Sequence, residues 1–235
     1  MIVNGFGIVL GFIKYGDTSV IAKVFTKDHG LCSFIIQGAY RKKARISVSM
    51  LQSFSLLELV YYYKENRQLH TLKEAKPSPP MASIQTDIVK SSLSIFACEV
   101  LQNVLNNTEQ DQELFDWLYQ KILKLEVSAE SNTYWAHLFL IELAQLLGFA
   151  PTETQTARFF HLREGVFTNV PLSEKEILSS DETQLLVALM ANSKINEKPK
   201  QLRAQLLDKL IDFFAYHVGG FRELKSLHVI RGVLN

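Results

Sequence analysis

Leu31-Cys32-Ser33-Phe34-Ile35-Ile36-Gln37 runs directly into Gly38-Ala39-Tyr40-Arg41-Lys42-Lys43-Ala44-Arg45. The first part is an apolar run of strand length. The second follows a glycine and places four cations within five positions. A strand that ends by exposing a dense cationic loop addresses something polyanionic. The competing reading is a merely solvated turn, and the setting of the loop decides between them.

Outward from that stretch, residues 2–76 read as five strands. The first covers about Ile2 to Ile13 and closes at Tyr15-Gly16-Asp17. Ser19 to Thr26, rich in Val and Ile, is the second and ends at Lys27-Asp28-His29-Gly30. Leu31 to Gln37 is the third, and the cationic loop after it extends to about Ser49. Gln52 to Tyr63 makes a fourth, which turns at Lys64-Glu65-Asn66-Arg67 into a fifth, Leu69 to Ala75. Short strands at regular spacing with Gly, Asp and Asn turns predict a small barrel or sandwich. Five strands in about 75 residues suit an OB-type barrel, a fold that commonly binds oligonucleotides.

Pro77-Ser78-Pro79-Pro80 breaks that pattern. Prolines cannot continue a ladder and disfavour helix in the residues before them. Residues 77–82 therefore read as the junction between a domain over 1–76 and a helical domain over 83–235. In the latter, Ser83 is placed as the cap of a helix from Ile84 to about Asn106. A second helix is predicted from about Gln110 to Glu126. A third runs from near Asn132 to Gly148, where glycine followed by Pro151 gives a stop signal. Arg158 to Thr168 reads as a hairpin around Arg163-Glu164-Gly165. Ser173 with Glu176 and Ser179 with Glu182 form two capping-box patterns. A long helix follows over Lys200 to Val218. A final amphipathic segment, Phe221 to Leu234, carries Leu224, Leu227 and Ile230 on one face. The fold class expected is α+β in two domains, an N-terminal OB-fold β-barrel followed by a mainly α-helical domain.

Composition separates the halves further. Residues 1–80 carry 11 Lys and Arg against 5 Asp and Glu; residues 81–235 carry 14 against 19. A basic half joined to an acidic one points to partners. Only two cysteines occur, Cys32 and Cys98, both in apolar runs. They make no disulfide framework, which fits a reducing cytoplasm. The N-terminus lacks the features of a signal peptide, and the apolar run Tyr134 to Ala150 is broken by His137, Glu142 and Gln145, which argues against a membrane span.

Recognisable catalytic and cofactor patterns are missing from the sequence. Gly5, Gly7 and Gly11 have the wrong spacing for a dinucleotide loop and lie within a strand. No phosphate loop or His-Glu-x-x-His motif occurs. The six histidines are scattered, and His137 and His217 read as partly buried helix residues rather than metal ligands. Neither cofactor nor catalytic residue is assigned.

What remains is a binding surface. Arg41, Lys42, Lys43 and Arg45 can neutralise phosphates whatever the base sequence. Tyr40, Lys14 and Lys23 complete the candidate DNA-contacting set. Tyr61-Tyr62-Tyr63 adds aromatic rings, with Tyr61 and Tyr63 on one strand face and Tyr62 on the other. Any of them left exposed could stack a base; the alternative is that they are barrel core or ordinary strand formers.

The chain resembles the RecO family of bacterial recombination mediators along nearly its whole length. The resemblance is carried by Gly7-Ile8-Val9-Leu10 with Tyr15-Gly16-Asp17, by Thr26-Lys27-Asp28-His29-Gly30, and by Gly38-Ala39-Tyr40-Arg41-Lys42-Lys43. Leu51-Gln52, Leu56-Leu57-Glu58-Leu59 and Leu72-Lys73-Glu74-Ala75 also fit. In the second half the matches are Leu146-Leu147-Gly148-Phe149-Ala150-Pro151, Phe160 to Phe167, and Glu223-Leu224-Lys225-Ser226. The resemblance implies an OB-fold, a helical domain and activity without catalysis. It further implies binding of single- and double-stranded DNA and annealing of complementary strands. RecR, the acidic C-terminal tail of single-stranded-DNA-binding protein and, indirectly, RecA are the implied partners, in the bacterial cytoplasm at the nucleoid.

One departure matters. Many members of that family carry a four-cysteine zinc site near the hairpin at 158–168. No cysteine lies there in this chain, so packing by Phe159, Phe160 and Phe167 is expected to hold that subdomain. For partner binding, Arg222, Lys225, Arg231 and Leu224 on the last segment are the candidates, since an amphipathic helix with cations could receive an acidic tail. The competing reading is that Leu224, Leu227 and Ile230 close the helical core. Two further function classes stand beside DNA mediation. One is an adaptor whose barrel binds a protein; the other is a nuclease assembled from scattered carboxylates.

Overall fold

The computed structural model describes residues 1–105, 110–129, 133–151, 157–170, 176–193, 195 and 198–233. Five strands form a closed barrel: β1 Ile2–Tyr15, β2 Ser19–Thr26, β3 Gly30–Ile36, β4 Leu56–Tyr62 and β5 Leu69–Pro77. The order around the barrel is β1-β2-β3-β5-β4, with β3 and β5 parallel and every other pair antiparallel. This is the OB-type arrangement expected. Closure leaves no open sheet edge. Strand alternation fills the interior: Val9, Val20, Ala22, Val24, Phe34, Leu57, Leu59 and Tyr61 are each at most 2% exposed.

Three strand limits differ from the sequence expectation by two residues or more. β1 continues to Tyr15, because a bulge between Val9 and Gly11 re-registers it against β2 instead of ending it. Gly11 adopts φ +138° there, and Gln102 Nε2 donates to the Leu10 carbonyl at 2.7 Å, which satisfies the residue the bulge leaves unpaired. β4 begins at Leu56 rather than Gln52. Val48–Leu51 is a 3-10 turn, and buried Phe54 takes φ 63° while its N–H donates to the Val9 carbonyl. Pro77 still pairs, opposite Leu57, at the end of β5, where a missing N–H is tolerated.

Helix follows the prolines in two pieces, α1 Ala82–Thr86 and α2 Ile88–Val104, where one helix over 84–106 was predicted. The cap is Asp87, not Ser83: its carboxylate accepts from Val89 N at 2.8 Å and Lys90 N at 2.9 Å. Asn106 lies outside the described residues. α3 spans Gln112–Val127, with Leu114, Leu118, Ile122 and Leu125 buried as their spacing required. Ser83 serves a different purpose. Its hydroxyl accepts from the Lys90 ammonium at 2.6 Å, and that ammonium also donates to the Glu126 and Ser128 carbonyls at 2.9 and 2.7 Å. Lys90 is only 4% exposed, so all three of its donors are spent on partners inside the fold. Lys90→Met is expected to lower stability by about 2 kcal/mol, because it strands two carbonyls at the end of α3. Urea unfolding of the variant checks this.

The chain packs as two compact units, Met1–Ser131 with Leu224–Ile230, and Asn132–Glu223 with Arg231–Asn235. Helices α1 to α3 thus pack with the barrel. Phe25 meets Phe115 at 5.6 Å between ring centroids, Lys27 pairs with Asp116 at 2.9 Å, and the Cys98 thiol donates to the Val9 carbonyl at 3.7 Å. The prolines mark the change of secondary structure, whereas the packing divides later.

The second unit holds α4 Trp135–Leu146, a three-stranded sheet of β6 Phe159–His161, β7 Val166–Thr168 and β8 Ile177–Leu178, then α5 Ser180–Met190 and α6 Lys200–His217. Gly148 takes φ +77° and its N–H donates to the Gln145 carbonyl, which ends α4 as the sequence signalled. Ser179 and Glu182 form the predicted capping box on α5; Ser173, of the other pattern, and Asn132 lie outside the described residues. Phe160 packs between Phe167 and Phe213 at 5.0 and 5.6 Å, and Phe149 sits on Phe213, Phe214 and His217. Phe160 and Phe167, two of the three residues expected to hold this subdomain, belong to that ring cluster. Phe159 is not part of it: its ring lies half-exposed against the Arg158 guanidinium. Among the described residues of the final segment, helix covers only α7, Leu227–Val233. Leu234 lies outside the described residues.

Candidate nucleic-acid interface

Gly38, two residues past the end of β3, takes the left-handed region, φ +70°, which turns the chain out of the strand direction. Two successive tight turns follow: Arg41 N donates to the Gly38 carbonyl and Ala44 N to the Arg41 carbonyl, each at 3.0 Å. Ala39, Ile46 and Leu51 are buried beneath the loop, so it is fastened at three points while Arg41, Lys42, Lys43 and Arg45 stay exposed. Burial of the small and aliphatic residues forces the cations outward, since an unpaired buried charge is too costly.

Under this loop lies a cleft of about 410 Å³, lined by Ile35, Arg41, Lys43, Arg45, Thr71 and Lys73 among others. Three of the four loop cations therefore converge on one concavity. Lys42 is exposed on the same loop but does not line the cleft. Lys73 was not among the candidates read from sequence. The parallel pairing of β3 with β5, Ile35 opposite Thr71, brings it to the cleft, and no local pattern encodes that pairing. Lys73 also lies 3.7 Å from Glu74, an exposed and weak pairing. No Asp, Glu or His lines the cleft. Its field is positive over several residues at once, the condition for concentrating a polyanion.

The remaining candidates sit apart. Tyr40 is 48% exposed, and its N–H reaches the Thr18 carbonyl of the β1–β2 turn at 3.3 Å. Lys14 is exposed near the same turn, opposite Val20. Lys23 is half-buried in mid-β2, opposite Gly11 and Ser33. Of the tyrosine run, Tyr61 is fully buried, its hydroxyl 2.7 Å from His29 Nδ1, and Tyr63 is stacked between His29 and His70 at the opposite end of the barrel. Only Tyr62, 47% exposed, is open for a base.

The partner candidates divide similarly. Leu224 and Ile230 are both buried, so closure of a core describes them and Leu224 is withdrawn as a contact. Arg231 is held by Asp208 at 2.6 Å. Arg222 and Lys225 are exposed. Beside Lys225, the Glu99 carboxylate accepts from Lys225 N and Ser226 N, both at 2.8 Å, and from the Ser226 hydroxyl at 2.6 Å.

Thiol chemistry is unsupported. Burial pushes the Cys98 thiol up to about 12 and also raises that of Cys32, so neither is a thiolate at neutral pH. Among the described residues no group of three or more His, Cys, Asp or Glu is placed to hold a metal, and two cysteines cannot make a four-cysteine site. No helix among the described residues is long and apolar enough to cross a membrane.

A closed five-stranded barrel carrying a cationic cleft, followed by helices, defines a two-part protein built around an OB-type barrel. The family model Recombination protein O N terminal matches residues 1–81, and Recombination protein O C terminal matches residues 85–228. Proteins named DNA repair protein RecO are similar over almost the full length. That of Flavobacterium psychrophilum is 32% identical over 97% of both chains, that of Bacteroides fragilis 30% over 96%, and that of Azobacteroides pseudotrichonymphae 27% over 97%. The chain belongs to the recombination protein O family.

Proposed function

We propose that this chain is a non-enzymatic mediator of recombinational DNA repair. It binds single- and double-stranded DNA, anneals complementary strands, and with RecR helps to load RecA onto gaps covered by single-stranded-DNA-binding protein. The observation that carries the reading is the convergence of Arg41, Lys43, Arg45 and Lys73 on one cleft of an OB-type barrel, in a family whose curated members are named for DNA repair. A cationic cleft holds phosphates without reading bases, which is what annealing of arbitrary complements needs. Cations without a carboxylate or histidine among the cleft-lining residues fit binding better than hydrolysis. Exposed Arg222 and Lys225 remain the candidates for the acidic tail of single-stranded-DNA-binding protein.

The test uses the full-length protein. Fluorescence anisotropy of labelled single strands and duplex across a salt series is expected to show salt-sensitive binding of both. Mixed complementary strands are expected to pair faster in its presence. DNA left unbound at low salt, with and without RecR, would favour the adaptor reading; metal-dependent DNA cleavage would favour a nuclease.

A further inference from the structure

Directly paired residues of neighbouring strands point to the same face of a sheet. Following the partners around the barrel from Ile13 gives Ile21, Ile35, Thr71, Tyr62 and then Ile2. The row returns to β1 at Ile2 rather than Ile13, the stagger that closure of a barrel requires. It lies on the outside: Ile13 is 65% exposed, Ile2 54% and Tyr62 47%, while Ile21 and Ile35 are half-buried. Five of its six members are aliphatic or aromatic. The next rows on the same outer face are polar by comparison, Asn4 with Val60 and Glu74, and Phe6 with Glu58 and Lys76.

The row does not stand alone. Ile35 and Thr71 line the cationic cleft, so the apolar strip and the phosphate-binding concavity are continuous. Its other margin carries Lys23, two residues from Ile21 on the same outer face. An apolar strip with cations on both sides matches one ligand chemistry: a flexible polyanion that carries flat apolar faces. An unpaired nucleic-acid strand has that chemistry. In a duplex the base faces are stacked on one another and cannot be offered to a protein surface.

We propose that Ile13, Ile21 and Ile35 form a platform for the bases of a single strand whose phosphates lie in the cleft. The inference rests on the DNA-binding reading above and adds to it the source of a preference for unpaired strands. The contact is dispersion and apolar burial against base faces, with no hydrogen-bonding side chain on Ile13, Ile21 or Ile35, so it discriminates paired from unpaired and not one base from another. A single strand captured this way keeps its Watson–Crick edges unengaged by the three isoleucines.

The experiment compares three labelled ligands on the full-length protein by anisotropy: a thymidine oligonucleotide, an abasic strand with the same number of phosphates, and a duplex. The wild-type protein is expected to bind the thymidine strand about tenfold more tightly than the abasic one. The combined variant Ile13→Thr and Ile21→Thr, which leaves the cleft-lining Ile35 in place, keeps β-branched side chains on the strands. It is expected to lose that preference while its affinity for the abasic strand and its salt slope stay as in wild type. Ile13→Thr alone, at the most exposed position, gives a partial loss should the combined variant fold poorly. Ile13→Trp supplies a direct signal: its fluorescence is expected to be quenched by the thymidine strand and not by the abasic one. Equal wild-type affinity for thymidine and abasic strands overturns the platform and leaves DNA binding intact. So does a preference that survives the threonine variants, or indole fluorescence in the Ile13→Trp variant that is blind to bases. Failure of wild type to bind any of the three ligands overturns the DNA reading and the platform together.

Discussion

Replacing Arg41, Lys43, Arg45 and Lys73 together by Gln is expected to reduce the slope of log affinity against log salt for single strands by roughly 3, since each phosphate neutralised on a single strand contributes about 0.7. At about 0.1 M salt that slope corresponds to an affinity loss of two to three orders of magnitude, relative to a 1 M reference where counterion release vanishes. The effect is large because the four cations share one cleft and can act on one stretch of backbone. The three loop cations and Lys73 are exposed, while Ala39, Ile46 and Leu51 hold the loop from below, so the fold is expected to survive the replacement. Thermal unfolding followed by circular dichroism checks that. Lys42→Gln, outside the cleft lining, is expected to change the slope far less than any one of the four. A folded quadruple variant with unchanged slope would place the phosphate contacts elsewhere on the protein.

Acid is expected to weaken the second unit through His137. The ring is 1% exposed; Nε2 lies 2.8 Å from the Arg203 carbonyl, and Nδ1 has no hydrogen-bond partner among the described residues. Donation from Nε2–H to that carbonyl satisfies the neutral ring. Protonation would place a second N–H, and a charge, where nothing accepts it. Burial accordingly lowers the His137 pKa from 6.5 to about 4, with the nearby Arg203 guanidinium acting in the same direction and the hydrogen bond to the Arg203 carbonyl opposing. The folded value lies below the unfolded one, so folding favours the neutral ring. The associated stability is fully present above 6.5 and is lost as pH falls from there towards 4. The full shift corresponds to about 3 kcal/mol. Urea unfolding of the full-length protein across that range is expected to show the loss. His137→Gln, which can still donate to the Arg203 carbonyl, is expected to flatten it. An equally steep acid loss in the variant would assign the sensitivity to other groups.

The loop cations were legible because density within one short stretch is a local property. Strand spacing predicted the barrel for the same reason: a run rich in Val and Ile such as Ser19–Thr26, closed by the turn at Lys27-Asp28-His29-Gly30, is recognisable without reference to any partner. The capping box at Ser179 and the stop at Gly148 were equally local, since each concerns backbone groups within one helical turn. Ser83 misled because it stands before an apolar periodic run, as a cap should. The helix breaks four residues later, where Asp87 caps α2 and Lys90 engages the Ser83 hydroxyl. Leu224 misled because an amphipathic face reads alike whether it closes a core or awaits a partner.

By itself the sequence determined most of the strand and helix segments, the cationic loop after β3 and the lack of cysteines for a metal site, because each is a property of neighbouring residues. Only the tertiary structure decided which cations meet. Lys73 joins Arg41, Arg45 and Lys43 through the parallel register of β3 and β5, and Lys42 stays outside the cleft. It decided that Tyr61 is core and Tyr62 surface, that α1 to α3 pack with the barrel, and that Ile13, Ile21 and Ile35 line up across three strands. Those outcomes depend on strand order, register and barrel closure, which bring together residues that chain proximity does not relate.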